Sequence, residues 1–231
     1  MGDEFIDVAR ESSCLREHHS TRMGNLRARF VVVALALIAA NASAQTDKNV
    51  VFFGDSLSAG YGVESSQAFP ALVEKKIEEA HLPYRVQNAG VSGDTSAGGL
   101  RRIDWLLQNK IDVLVLELGG NDGLRGLPID AMKSNLRTII AKVRARNPEA
   151  KIVVAGMQIP PNVGIDYAAN FKRAFEDLAA ETHATLIPFL LENVGGIREL
   201  NQPDMVHPTA AGHRVIAENI WRVLAPILRA G

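Results

Sequence analysis

The sequence predicts an open α/β fold, a mostly parallel five-stranded sheet with helices on both faces. Three observations carry this reading. From residue 49 onward, short apolar runs alternate with helix-period segments five times. The third run, 111–118 (IDVLVLEL), is nearly continuous apolar sequence, which suits a strand covered on both faces. The first three runs all stop at glycine-containing turns, Gly54-Asp55, Ala89-Gly90 and Gly119-Gly120.

The elements follow in order. Val50-Val51-Phe52-Phe53 is a β-rich run. Phe69, Leu72, Val73, Ile77 and Ala80 then recur at three- and four-residue steps, with Glu74, Lys75, Glu78 and Glu79 on the other face. That periodicity predicts an amphipathic helix over 69–80. A second strand covers 84–88 and a helix follows over 96–108. After the strand at 111–118 come a helix over 129–146, a fourth strand over 151–157 (KIVVAGM) and a loop at 160–164. A helix over 166–182, a short fifth strand at 185–189 and a last helix over 209–228 complete the chain. Right-handed crossovers bring all five strand ends to one edge of the sheet, where sites collect in this architecture. No internal repeat or low-complexity linker interrupts residues 45–231, so they read as one domain.

The N-terminal part reads differently. Arg22, Arg27 and Arg29 precede an apolar run at 30–40, and Ala42-x-Ala44 has the small-residue spacing of a cleavage site. Residues 23–44 therefore read as a secretory signal peptide, with Gln45 as the first mature residue. The apolar run is about half the ~20 residues that a membrane-spanning helix needs, so no stable span is expected after cleavage. The expected location is exported, periplasmic or secreted. Residues 1–22 are acidic and polar with no steady periodicity. They read as a leader of doubtful status, either an over-extended start with Met23 the true one or a disordered leader. The single cysteine, Cys14, lies there, so the mature chain is expected to hold no disulfide, thiolate ligand or Cys nucleophile.

Composition excludes other classes. A hydrophobic fraction of 47% is that of an ordinary globular protein, and the formal net charge is −1. With no Lys/Arg stripe to neutralise phosphates, a nucleic-acid partner is not expected. Neither a Walker loop nor GxGxxG follows the first strand, so no nucleotide cofactor is expected. The G-x-S-x-G elbow is also absent, because Ser58 stands where its second glycine would be.

Four segments carry candidate chemistry. Gly54-Asp55-Ser56-Leu57-Ser58 exposes a serine where the chain turns out of the first strand. Taken alone, such a serine is more often a helix N-cap or a polar turn. Gly90-Val91-Ser92-Gly93-Asp94-Thr95 is a glycine-rich turn that lets backbone N–H groups approach a ligand, or an ordinary entry to the next helix. Asn121, in Gly119-Gly120-Asn121-Asp122, can donate to developing negative charge, or make an Asx turn. In Asp204-Met205-Val206-His207-Pro208, a carboxylate three residues before an imidazole can fix its tautomer. A third histidine or a thiolate cannot be assembled around His207, so no metal site is expected. His81, His183 and His213 have no acidic partner in a motif and read as surface or packing residues.

Each segment is weak alone, but the ordered set resembles the blocks of the SGNH (GDSL-type) hydrolases. The strings FGDSLSAGYG, NAGVSGDTSAGG, ELGGNDGLRG and DMVHPTAAGH are most similar to the subgroup of multifunctional acyl-CoA thioesterases, lysophospholipases and arylesterases. The resemblance implies a three-layer, flavodoxin-like α/β/α domain and a serine esterase or thioesterase working through an acyl-enzyme. It implies Ser56 as nucleophile, His207 as general base and then acid, and Asp204 as its orienting carboxylate. The Ser56 and Gly93 N–H groups and the Asn121 amide would form the oxyanion hole. The loop at 158–164 borders the acyl pocket in this subgroup, so Ile159 and Val163 are candidate substrate contacts; with Leu124 and Leu127 they could line an acyl channel or equally belong to the core. A carbohydrate O-deacetylase or acyltransferase of the same fold, and a non-catalytic α/β binding domain, remain as alternatives.

Overall fold

The computed structural model describes residues 48–231. The expected leader, signal peptide, Gln45 terminus and Cys14 lie outside the described residues.

Five strands form one sheet: β1 (Lys48–Gly54), β2 (Tyr84–Asn88), β3 (Val113–Glu117), β4 (Lys151–Ala155) and β5 (Thr185–Ile187). Their spatial order is β2-β1-β3-β4-β5, and every neighbouring pair is parallel. β1 and β3 form the centre, and all five residues of β3 are buried. Glu117, the last of them, is as buried as the leucines and valines before it.

The helices are α1 (Ser56–Ala59), α2 (Phe69–Glu79), α3 (Ser96–Leu106), α4 (Gly120–Leu124), α5 (Ile129–Arg146), α6 (Ile165–Glu181) and α7 (Ala210–Arg229). The chain steps outward from β1 to β2, then crosses back past β1 to β3 and continues through β4 to β5. With right-handed crossovers, the reversal puts α2 on one face and α3, α5 and α6 on the other. The packing agrees, because α2 pairs with the returning α7 while α3 packs on α5 and α5 on α6. Phe69, Val73 and Ile77 of α2 turn inward, as do Met132, Leu136, Ile139, Ile140 and Val143 of α5. The α2 residues belong to the stripe that the sequence pattern marked, and each side chain turned inward contributes roughly 1.5–3 kcal/mol on burial.

The boundaries differ in instructive places. β3 and β5 are shorter than their apolar runs: Ile111 and Leu118 pack into the core from flanking segments, and Phe189 lies beyond the end of β5. The one-turn helices α1 and α4, expected only as turns, begin directly after the central strands. α1 is capped by Asp55, whose carboxylate accepts the Leu57 N–H, and it ends on Gly60 in the left-handed region at φ 75°. Strand order reverses between β1 and β3, so a crevice opens at the carboxyl ends of these two strands. α1 and α4 both start in that crevice. Among the described residues no helix is long and apolar enough to cross a membrane.

Candidate active site

Three expected site residues meet although they lie up to 151 positions apart in the chain. Ser56 Oγ stands 3.0 Å from His207 Nε2, and His207 Nδ1 stands 2.7 Å from Asp204 Oδ2. The other Asp204 oxygen accepts the backbone N–H groups of Val206 and His207 at 2.9 and 3.0 Å. Those bonds wrap the 204–207 turn around the carboxylate, with Met205 in the left-handed region at φ 58°. The His207 N–H, the His207 ring and the Val206 N–H, in that order, hold the Asp204 carboxyl down to about 2. An ionised Asp204 on Nδ1 leaves Nε2 as the free lone pair facing Ser56.

Ser56 opens α1, so its own N–H lies in the first turn, where helical partners are lacking. Gly93 follows β2 with φ +80°, a conformation that strains any side chain. Its carbonyl accepts Arg125 Nη2 at 3.1 Å, which fixes the plane of the peptide that follows it. Asn121 lies between these two loops. Its Nδ2 donates to Asp94 O at 3.0 Å and to Asp55 Oδ2 at 3.1 Å. One amide thus ties the residue after Gly93 to the residue before Ser56.

A cavity of about 480 Å³ opens beside Ser56. Ile159 and Leu124 line it, as do Asn121 and His207. Val163 and Leu127 are not part of its lining. The 3₁₀ turn Pro161–Val163 leads into α6, and Val163 is 37% exposed. More of the apolar wall comes from Met157 after β4 and from Phe189, Leu191, Met205 and Val206 in the long connection to α7. Sequence reasoning missed these because residues in irregular segments have no period to read. Gly195 and Gly196 complete that wall and leave space where side chains would stand.

Two further residues support the histidine loop. The Tyr61 ring lies 4.6 Å from the His207 ring at 42°. Gln202 donates its backbone N–H to His207 O at 2.7 Å and its side-chain amide to Tyr61 O at 2.7 Å. The histidine loop is thereby stitched to the turn after Ser56. Of the other histidines, His81 and His183 follow helices at positive φ, and His213 is buried. Among the described residues, no three His, Cys, Asp or Glu side chains are grouped to hold a metal ion.

Residues 52–215 match the GDSL-like Lipase/Acylhydrolase family. The chain is 43% identical over 197 residues to Esterase TesA of Pseudomonas aeruginosa, covering 85% of this chain and 96% of that protein. It is 37% identical over 180 residues to Thioesterase 1/protease 1/lysophospholipase L1 of Escherichia coli K12, covering 78% and 84% of the two chains. The crystal structure of the psychrotrophic esterase EstA from Pseudoalteromonas sp., inhibited by monoethylphosphonate, superposes with a TM-score of 0.75 at 33% identity. That superposition covers 79% of this chain and all of EstA. With the family match spanning most of the described domain and a relative this similar aligned almost end to end, the chain belongs to the GDSL-like lipase/acylhydrolase (SGNH) family of serine hydrolases acting on esters.

Proposed function

We propose that this chain hydrolyses carboxylic esters and thioesters of medium or long acyl chains through an acyl-enzyme on Ser56. The observation that carries the reading is the unbroken line Ser56 Oγ, His207 Nε2, His207 Nδ1, Asp204 Oδ2, at 3.0 and 2.7 Å, beside an apolar cavity. His207 takes the Ser56 proton as Oγ attacks the carbonyl, and Asp204 stabilises the imidazolium so formed. The Ser56 and Gly93 N–H groups and the Asn121 amide receive the oxyanion. His207 then returns the proton to the leaving alcohol or thiol, and water repeats the cycle on the acyl-enzyme.

The lining of Leu124, Met157, Ile159, Phe189, Leu191 and Val206 suits an acyl chain, since each methylene buried there stabilises binding by about 0.8 kcal/mol. Ile159 is the substrate contact assigned from the 158–164 loop; Val163 is left out of that assignment. The segment at 23–44 directs the enzyme to export, so the natural esters are those met outside the cytoplasm.

The test is hydrolysis of p-nitrophenyl esters from acetyl to palmitoyl by the chain from Gln45, beside Ser56→Ala. Turnover is expected to peak at medium or long chains and to fall by at least about a thousand-fold in the variant. An optimum at acetyl would favour an O-deacetylase, and p-nitrophenol release sped by an added alcohol, with the acyl group recovered as the ester of that alcohol, would favour transfer. Turnover unchanged in Ser56→Ala would remove the serine mechanism.

A further inference from the structure

Beneath the nucleophile turn lies a carboxyl group that the reaction scheme does not use. Glu117, at the end of β3, is fully buried in a strand otherwise made of Val and Leu. The parallel register sets it directly beside Gly54 of β1. A Cβ at residue 54 would collide with Glu117 Oε2 and Ser58 Oγ, so the glycine before Asp55-Ser56 makes the room this carboxyl occupies. Oε2 accepts three donors from the nucleophile turn: Asp55 N–H at 3.2 Å, Ser58 N–H at 3.1 Å and Ser58 Oγ–H at 2.6 Å. Oε1 is equally buried and accepts no hydrogen bond among the described residues.

A carboxyl with one oxygen fully supplied and the other unpartnered is the pattern of a neutral acid whose second oxygen carries the proton. Its neighbour is Asp55, whose backbone N–H is one of the three donors on Oε2. Asp55 in turn accepts the Leu57 N–H at 3.0 Å and the Asn121 amide at 3.1 Å. The geometry points to Glu117 as a positioning residue: a neutral carboxylic acid that anchors the nucleophile turn through one oxygen and so positions Asp55, which holds Asn121. This inference rests on Ser56 being the nucleophile.

Electrostatics favour the same arrangement. Burial, and then the adjacent Asp55 carboxylate, push Glu117 well above the usual carboxylate range. Burial also raises Asp55, but its donors Leu57 and Asn121, and the charge of His207, oppose that rise. The single proton therefore stays on Glu117 and the charge on Asp55. Arg102, which reaches the same turn through Gly54 O, directs its guanidinium to Gly54 O, Ala89 O and Asp94, leaving the carboxyl pair without an ion-pair partner from it. Losing the Glu117 proton would set two carboxylates in contact in a dry site, and the turn and Asn121 would be pushed apart.

The experiment compares the wild-type chain with Glu117→Gln and Glu117→Leu. In Glu117→Gln the amide oxygen keeps the three donors and the NH2 takes the place of the acid O–H. Its kcat near neutral pH is expected within about three-fold of wild type, whereas Glu117→Leu loses about ten-fold or more in kcat with little change in KM. The wild-type activity should decline at alkaline pH as Glu117 ionises, and Glu117→Gln should lack that decline. The infrared difference spectrum, wild type minus Glu117→Gln, should contain the carbonyl stretch of a protonated carboxylic acid at neutral pH. The spectrum needs no turnover and no Leu variant, so it stands if Glu117→Leu fails to fold. Absence of that band, or Glu117→Gln as impaired as Glu117→Leu, would overturn the inference. An active Ser56→Ala would instead refute the nucleophile and leave the infrared band untouched.

Discussion

Asn121 has a single amide and two neighbours that need it. Its bonds to Asp94 O and Asp55 Oδ2 hold it between the Gly93 loop and the Ser56 turn before any substrate arrives. Charge developing on a bound carbonyl would draw one of these N–H groups away, and a donor already held in place needs little reorganisation to respond. Asn121→Ala is therefore expected to lower kcat by about a hundred-fold, while KM changes little because the bond strengthens only in the transition state. Steady-state kinetics on a single p-nitrophenyl ester checks this, and a loss under about three-fold would reduce Asn121 to a loop tie. At this scale the sequence was legible where chemistry needs fixed residue types in a fixed order: Ser56, Asp204 and His207 meet as their motifs implied. It was not legible for Glu117, whose carboxyl group lay hidden in an apolar strand run, although one acid among buried leucines is itself a signal. Tyr61 and Gln202 left no motif, because their roles depend on where two loops happen to touch.

Elements place these residues by where strands end. The two central strands run out side by side, and each feeds a one-turn helix whose first residues face the crevice. Alternation, apolar runs and 3.6-residue stripes carried strand and helix identity in the sequence. They could not distinguish a turn from the four- and five-residue helices α1 and α4, which bury too few side chains to leave a periodic stripe. Arg102 of α3 joins three of these ends. Its guanidinium donates to Asp94 Oδ2 at 2.6 Å, to Ala89 O at 2.9 Å and to Gly54 O at 2.9 Å. It also lies over the Phe53 ring at 4.1 Å. The ends of β1 and β2 and the turn into α3 thus share one planar fork. Arg102→Leu is expected to lower the unfolding free energy by about 2–3 kcal/mol, since it leaves a carboxylate and two carbonyls short of donors. Arg102→Lys should recover only part of that, because an ammonium cannot fork to three diverging acceptors. Urea titration measures both; a Leu variant as stable as wild type would show that water replaces the fork at no cost.

The whole molecule carries a pH dependence that no single motif announces. His213 lies in the first turns of α7, fully buried, with its ring stacked on Phe69 at 5.8 Å. Its Nδ1 accepts the Phe69 N–H at 3.2 Å, so the packing of α7 on α2 depends on a neutral imidazole. Protonation would turn that acceptor into a donor facing a donor. Burial first, and the charge of His207 second, lower His213 from 6.5 to about 4. In the unfolded chain it titrates near its ordinary value. Between those two values the unfolded state binds a proton that the folded state refuses, so this contribution to stability rises with pH. It is complete above about 6.5 and is lost as pH falls toward about 4. Asp55 and Glu117 act with the opposite sign, because their folded-state values are raised and the folded state binds more protons as pH rises past the ordinary carboxylate range. Wild-type stability in mild acid is thus a difference between opposed slopes, and a single curve would not reveal either. His213→Asn separates them, since its side-chain oxygen can accept the Phe69 N–H but does not titrate. Relative to that variant, wild type should lose roughly 3 kcal/mol as pH falls from 6.5 to 4, at 1.36 kcal/mol per unit. Urea unfolding of both proteins across that range measures the gap directly. Parallel curves would mean that the His213 pocket opens to solvent on protonation, and that the seam between α2 and α7 is softer than its packing implies.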